Sequence, residues 1–473
     1  MQKITRAVGP TGLVNTRQKF VGLGELVPLL DGSRRPSINF DNAASTPVLA
    51  AVQKTVDEFL PWYSSVHRGS GFKSLLSSKA YEDARQTVAK FFGANRRDHV
   101  VIFGKNSTEA INKLSYRLNL NKHDIVLVGL SEHHSNDLPW RAKASVRHIG
   151  LDGTGNLDIA DYKNLLAKYK GRVKLVAISG GSNVTGLVPD MHGLARLAHS
   201  VGAQILVDCA QLAAHRAINL RPLSDPTHLD YIAASAHKMY APFGSGALIG
   251  RRDSFEVGAP EVCGGGTIKL VTEKDVEWAA TPDRDEAGSP NVIGAVAFAR
   301  ALQILSAIGM DKIAKHEIEL TTYALQKLSK LDGLMVYGDS RPDSAASRLG
   351  VISLNIHGKS HALVAAILSA EWGIAVRSGC FCAQPYVIKL LNVKGADFNK
   401  FKDEAIHDDR RSLPGMVRIS FGMYNNRAEV DTLVQALEAI AAGDYRGQYV
   451  CDKLTGQYWP RNWQPDPSHY FSL

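Results

Sequence analysis

The chain reads as an α/β protein built on a mostly parallel sheet covered by helices, and three observations point there. Short apolar runs at 125–128, 175–179, 204–207 and 231–234 have the length and composition of buried strands. They alternate with stretches of helical pattern, the arrangement that produces parallel sheets. Each run also empties into small or polar residues: hydroxyls, a histidine, an asparagine, an aspartate and a lysine. The carboxyl ends of parallel strands are where open α/β sheets gather ligand chemistry.

Composition narrows the class. The 473 residues are 45% hydrophobic and 21% charged, as in an ordinary globular protein. A net charge of +9 is spread without blocks of like sign, which argues against nucleic-acid binding. No apolar stretch approaches the roughly 20 residues of a membrane span. Five cysteines are an odd number in a long chain, so a disulfide framework is not expected and a reducing, cytoplasmic setting is. Residues 1–24 are basic and acid-free like an organelle transit peptide, but their glycines and lack of serine favour a surface arm.

In chain order, 38–47 is a short strand followed by small residues, including Asn42, that let a ligand approach the backbone. A helix is expected over 48–60. The glycine-rich loop 65–71 then offers His67 and Arg68 for anion contact. A helix over 74–92 precedes the strand 100–103, which leads to Ser107 and Thr108 at a helix start. Hydroxyls and unpaired N–H groups there suit an anion, although simple capping is the commoner use. The strand 125–128 opens into Glu132, His133 and His134, of which at most one histidine can enter a given pocket. The strand 175–179 leads to Asn183, and 204–207 to Asp208 and Gln211. The strand 231–234 leads to Ser235, His237 and Lys238, a lysine placed where burial makes an amine a nucleophile towards carbonyls.

This set is what pyridoxal 5′-phosphate needs: an amine, a carboxylate for the pyridine nitrogen, an anion cradle and a flat partner for the ring. In order and spacing it resembles the class V aminotransferase-like enzymes of fold type I, over about residues 25–440. Within them it is most similar to group II cysteine desulfurases and selenocysteine lyases. The resemblance implies a large domain with a mostly parallel, seven-stranded sheet and a smaller α+β domain. It implies that Lys238 forms the Schiff base, Asp208 holds the pyridine nitrogen, and Gln211 and Asn183 lie along the ring edge. His133 stacks on the ring, and Ser107, Thr108, Ser235 and His237 hold the phosphate. Ser289, in the segment 286–291, stands where the family reaches the phosphate of a second subunit, so a homodimer is expected.

The segment Arg377-Ser378-Gly379-Cys380-Phe381-Cys382-Ala383 matches the family's pattern around its sulfur-carrying cysteine, which implies Cys382 as nucleophile. Cys380 stands where histidine is common. Arg418 is the expected ligand of a substrate carboxylate, because a guanidinium presents the planar fork a carboxylate needs. Arg377, Asn42, His67 and Arg68 are further substrate-binding candidates. The expected division is an arm (1–36), a large domain (37–291), a small domain (292–442) with an insert near 386–415, and an aromatic-rich tail (443–473) that packs on the body or a partner subunit. The activity implied is conversion of L-cysteine to L-alanine, leaving a persulfide for an acceptor protein or small thiol. The alternatives are an aminotransferase or epimerase of the same superfamily, a relative of molybdenum cofactor sulfurases, which share Gly-Cys-Phe-Cys, and a non-catalytic scaffold.

Overall fold

A computed structural model describes residues 19–67, 69–256 and 258–473. The arm up to residue 18 and the candidate Arg68 therefore lie outside the described residues. The chain divides into two compact units: a large one of 45–182 and 188–314, and a small one of the residues up to 44, 183–187 and 315–473.

The large unit is a seven-stranded sheet with helices. Its strands in chain order are β1 (His99–Gly104), β2 (Ile125–Gly129), β3 (Ser145–Ile149), β4 (Val173–Ser179), β5 (Gln204–Asp208), β6 (Tyr231–Ser235) and β7 (Gly246–Arg251). Their spatial order is β1-β7-β6-β5-β4-β2-β3. Only β7 runs against the rest, antiparallel to both β1 and β6. β2 is buried at every position, as its unbroken apolar composition requires of a strand covered on both faces. β3 at the edge is half-exposed. The helix Val292–Ile308 is apolar around most of its circumference because it is buried against the helices Ala50–Phe59 and Phe72–Phe91. That packing puts the division of the chain at 314/315 rather than at the expected 291/292. Among the described residues, no single helix is long and apolar enough to cross a membrane.

An acid cluster ties the sheet together at the start of β6. Asp230 Oδ2 accepts from Ile205 N of β5 and from His199 Nε2, both at 2.9 Å, while Oδ1 faces His228 Nε2 at 3.2 Å and Arg251 Nη1 at 3.4 Å. Burial alone would raise the Asp230 carboxyl, but these donors outweigh it and hold it well below the usual range. Burial likewise pulls His199 down, and Asp230 with the Pro226 carbonyl reverses the sign, so His199 titrates above its ordinary value. A raised histidine stabilises fully below its unfolded value of about 6.5 and loses that contribution as pH rises through its folded value. Thermal unfolding of wild type and Asp230→Asn should therefore differ most near pH 6, and the gap should narrow towards alkaline pH to what Ile205 N and Arg251 still contribute.

The small unit holds a four-stranded antiparallel sheet of β8 (Leu334–Tyr337), β9 (Val351–Ile356), β10 (Arg377–Gly379) and β11 (Met416–Ser420), in the order β8-β9-β11-β10. Helices His361–Trp372 and Arg427–Ala442 supply apolar residues to its core, among them Ile367, Leu368, Leu433 and Leu437. The insert contains the helix Gly395–Ile406. The aromatic tail packs on the body: Arg446 N, Gly447 N and Tyr449 Oη all donate to Glu371 at 2.9 Å, and Tyr445 and Tyr449 lie against the core.

Candidate active site

In the large unit, the carboxyl ends of β5 and β6 bring Asp208 and Lys238 into electrostatic range. Lys238 closes a short 3-10 turn, Ala236–Lys238, directly after β6, and is half-buried. Asp208 is 5% exposed and accepts from Ala210 N at 2.9 Å. Burial raises its carboxyl, while the Ala210 N–H and the Lys238 ammonium pull it back part of the way. Gln211 is buried just beyond, at the start of the turn Leu212–Ala214. Burial and the Lys238 charge pull His237 down to about 4, so its imidazole is neutral at pH 7.

The helix Ser107–Arg117 is capped by Asn106, whose side chain accepts from Glu109 N at 3.0 Å. Capping therefore does not occupy Ser107 or Thr108. Ser107 N donates to Ser235 Oγ at 2.9 Å, and the two hydroxyls lie 3.0 Å apart. Thr108 Oγ1 meets Ser135 Oγ at 2.7 Å, and Ser135 Oγ meets His133 Nδ1 at 2.9 Å. Because Ser135 N also donates to that Nδ1 at 3.1 Å, a neutral His133 carries its proton on Nε2. The loop is braced by Glu132, which accepts from Ser179 N and Asn136 Nδ2, each at 2.7 Å. Burial pushes Glu132 well above the usual carboxylate range, helped by nearby Asp208. Gly129 makes room for it, since a Cβ there would lie 2.7 Å from Glu132 Oε1.

Ser289 is exposed. Its segment is pinned by Glu286, which accepts from Tyr81 Oη at 2.6 Å, Arg85 Nη1 at 2.7 Å and Phe103 N at 2.6 Å. Arg85 and Glu286 have side chains only 10% and 6% exposed, so removing one partner strands a buried charge. Glu286→Ala should destabilise the protein by about 3 kcal/mol or more, measured by denaturant unfolding. His67 is exposed at positive φ, with its ring edge-on to Tyr81 at 6.0 Å.

In the small unit, Arg418 on β11 is 3% exposed. Its Nη2 bonds Asp41 Oδ1 at 3.0 Å and its Nη1 donates to Asn183 O at 3.1 Å. Its Nε is buried without a hydrogen-bond partner, and burial holds the guanidinium below its ordinary value against the pull of Asp41. Asp41 Oδ2 also lies 3.4 Å from the exposed Arg377. Asn42 corrects the expectation of a substrate ligand. Its Nδ2 donates to Asn39 O and Ser420 O, and its Oδ1 accepts from Tyr424 Oη, so the amide joins structural elements. Asn183 Nδ2 donates to Phe381 O at 2.7 Å, which ties that amide to the cysteine turn.

That turn is Cys380–Ala383, closed by Ala383 N donating to Cys380 O at 2.9 Å. Its two central residues, Phe381 and Cys382, have φ of 54° and 56°, the sign pattern of a type I′ turn without the usual glycine or asparagine. Such backbone costs on the order of 1–3 kcal/mol per residue and persists only where the surroundings hold it. Here the Phe381 carbonyl is held by Asn183 and its ring lies 4.9 Å from the Arg418 guanidinium. Cys382 is thereby exposed, while Cys380 is half-buried.

Sequence reasoning did not find Asp41, Glu132, Ser135 or Glu286. Each acts through a partner distant in the chain, apart from Ser135, whose signal was its place two residues after His133.

The class-V aminotransferase family matches residues 38–433. The probable cysteine desulfurase of Halalkalibacterium halodurans is 35% identical, covering 88% of this chain and 96% of its own length. The cysteine desulfurase of Haloferax volcanii is 35% identical over 86% and 90%. Among solved structures, the apo cysteine desulfurase from Thermococcus onnurineus NA1 superposes with a TM-score of 0.75 at 32% identity, covering 86% of this chain and 95% of that one. The cysteine desulfurase CsdA from Escherichia coli gives 0.72 at 27% identity, covering 91% and 98%. With the match running through both the strand-end residues and the cysteine turn, this chain belongs to the class-V aminotransferase family.

Proposed function

We propose that the chain is a pyridoxal 5′-phosphate-dependent cysteine desulfurase that converts L-cysteine to L-alanine and keeps the removed sulfur as a persulfide on Cys382. The observation that carries this reading is the strained turn that exposes the Cys382 thiol while Arg418 braces its Phe381. Relatives named cysteine desulfurases over most of their length support it.

The donor set fits the cofactor. A buried carboxylate at Asp208 suits a protonated pyridine nitrogen, and an amine at Lys238 suits an aldehyde. Ser107, Thr108 and Ser235 present hydroxyls around a helix start, where the dipole and free N–H groups favour a phosphate. When bound, the group supplies an electron sink for the pair released at the substrate Cα.

The chain's own residues do the rest. Arg418, paired with Asp41 before substrate arrives, binds the substrate carboxylate in its place. Lys238 takes the proton from Cα, and His133 Nε2 carries a proton to and from the reacting carbons. The Cys382 thiolate then attacks the substrate sulfur. A new S–S bond forms as Cβ–S breaks, the electron pair stays with carbon, and protonation yields alanine. The persulfide passes to a thiol acceptor, a protein or a small molecule. We place the reaction in a reducing compartment, because Cys382 has to be a free thiol, and in a homodimer, because Ser289 is exposed and free to face a second copy.

Purified holoenzyme given L-cysteine without an acceptor should release alanine in equal amount to the sulfane sulfur it retains. Transfer of the amino group to a 2-oxo acid, with no sulfur retained, would establish the aminotransferase reading instead.

A further inference from the structure

We propose that Cys380 is a second sulfur-carrying residue, which receives the outer sulfur of a Cys382 persulfide and frees Cys382 for another substrate. The proposal rests on the assignment of Cys382 as the sulfur acceptor and extends it to a thiol with no role in that chemistry so far.

The turn brings the two thiols within electrostatic range. Cys380 and Cys382 are the first and third residues of one hydrogen-bonded turn, and the Cys380 thiol feels the charge of Cys382. Their surroundings are opposite. Cys382 is open to solvent, whereas Cys380 is half-buried and its Sγ donates to Pro414 O at 3.1 Å. The wall over Cys380 is the end of the insert. Gly415 comes so close that a Cβ on it would lie 2.7 Å from Gly379 Cα, and Leu413 O is held by His361 Nε2 at 3.1 Å. The same wall contains His361 Nδ1, buried and without a hydrogen-bond partner.

Chemistry sets the direction. Burial, with the neighbouring Cys382, pushes the Cys380 thiol up to about 11, so it does not compete for the first attack on substrate. Once deprotonated beside a persulfide, the more basic thiolate is the stronger nucleophile. Cys380–SH and Cys382–S–SH become Cys380–S–SH and Cys382–SH. The S–S bond to Cys382 breaks and one to Cys380 forms. The electron pair leaves with the Cys382 sulfur, which takes up the proton that Cys380 loses. No oxidant or reductant is consumed. The chain then holds one sulfane sulfur behind the insert and can accept another at the surface.

Two measurements test this on full-length wild type, Cys380→Ser and Cys382→Ser. In the first, holoenzyme is given L-cysteine without acceptor, alkylated, and mapped by mass spectrometry with fragmentation on either side of Phe381. Wild type should carry sulfur at both cysteines, and alanine released before acceptor is added should fall about twofold in Cys380→Ser. In the second, the proteins are exposed briefly to inorganic polysulfide. Label should appear first on Cys382 of wild type and then on Cys380, and Cys380 of Cys382→Ser should stay unlabelled. Sulfur confined to Cys382 in wild type, or equal labelling of Cys380 with and without Cys382, overturns the relay. Absence of alanine in the first measurement refutes the desulfurase reading, and the polysulfide series still decides the relay.

Discussion

Lys238→Ala should lose the visible absorption of lysine-linked pyridoxal and cut alanine release from L-cysteine by at least about 1,000-fold. The proposed reaction gives Lys238 two tasks that no neighbour can assume, attachment at the end of β6 and proton removal at Cα. The other basic group in that turn, His237, is held neutral at about 4 by burial and by Lys238 itself, and it loses the second influence in the variant. The fold should survive, because Lys238 is half-buried in a turn whose backbone is held by contacts of other residues, including Thr46 N on His237 O at 2.9 Å. An unchanged absorption band in the variant would remove Lys238 from its role. Unaltered circular dichroism with the band gone would separate the chemical loss from unfolding.

Cys382→Ser should abolish persulfide formation and lower alanine production by about 100-fold or more. Serine retains the size and the hydrogen-bonding turn but cannot form the S–S bond. Cys380 does not replace it. Attack on a bound sulfur demands placement within about an ångström, and Cys380 faces Pro414 from the buried side of the turn. If persulfide still forms on Cys380 in this variant at the wild-type rate, the nucleophile has been assigned to the wrong cysteine.

The elements legible in the sequence are those whose signal is local. β2, β5 and β6 are nearly continuous apolar runs because both their faces are covered, and Asp208 and Lys238 follow from sitting where such runs stop. β3, Ser-Val-Arg-His-Ile, went unread because an edge strand is half in solvent and carries polar side chains. The hairpin of Ile268–Val271 with Val276–Trp278 was missed for the same reason, being largely exposed. The turn at 380–383 contradicts local propensity: nothing in Phe-Cys announces positive φ, which is imposed by Asn183 and Arg418 from elsewhere in the small unit. Asp41 was invisible as a site residue because its meaning depends on Arg418, 377 positions away. Asn42 was misread from the same cause, since its partners Ser420 and Tyr424 are as distant.

On the role proposed for Arg418, the Asp41 carboxylate shared between Arg418 and Arg377 makes recognition an ion exchange. Between turnovers Arg418 is neutralised, so its buried charge does not strain the strand that carries it. A visiting molecule gains from the guanidinium only by bringing an anion to replace that carboxylate, and Arg377 stands ready to keep the displaced Asp41. An amino acid with its free carboxylate can make the trade. An ester, an amide or a simple aminothiol has nothing to offer in return, so on the proposed role of Arg418 the pairing favours molecules that carry a free carboxylate.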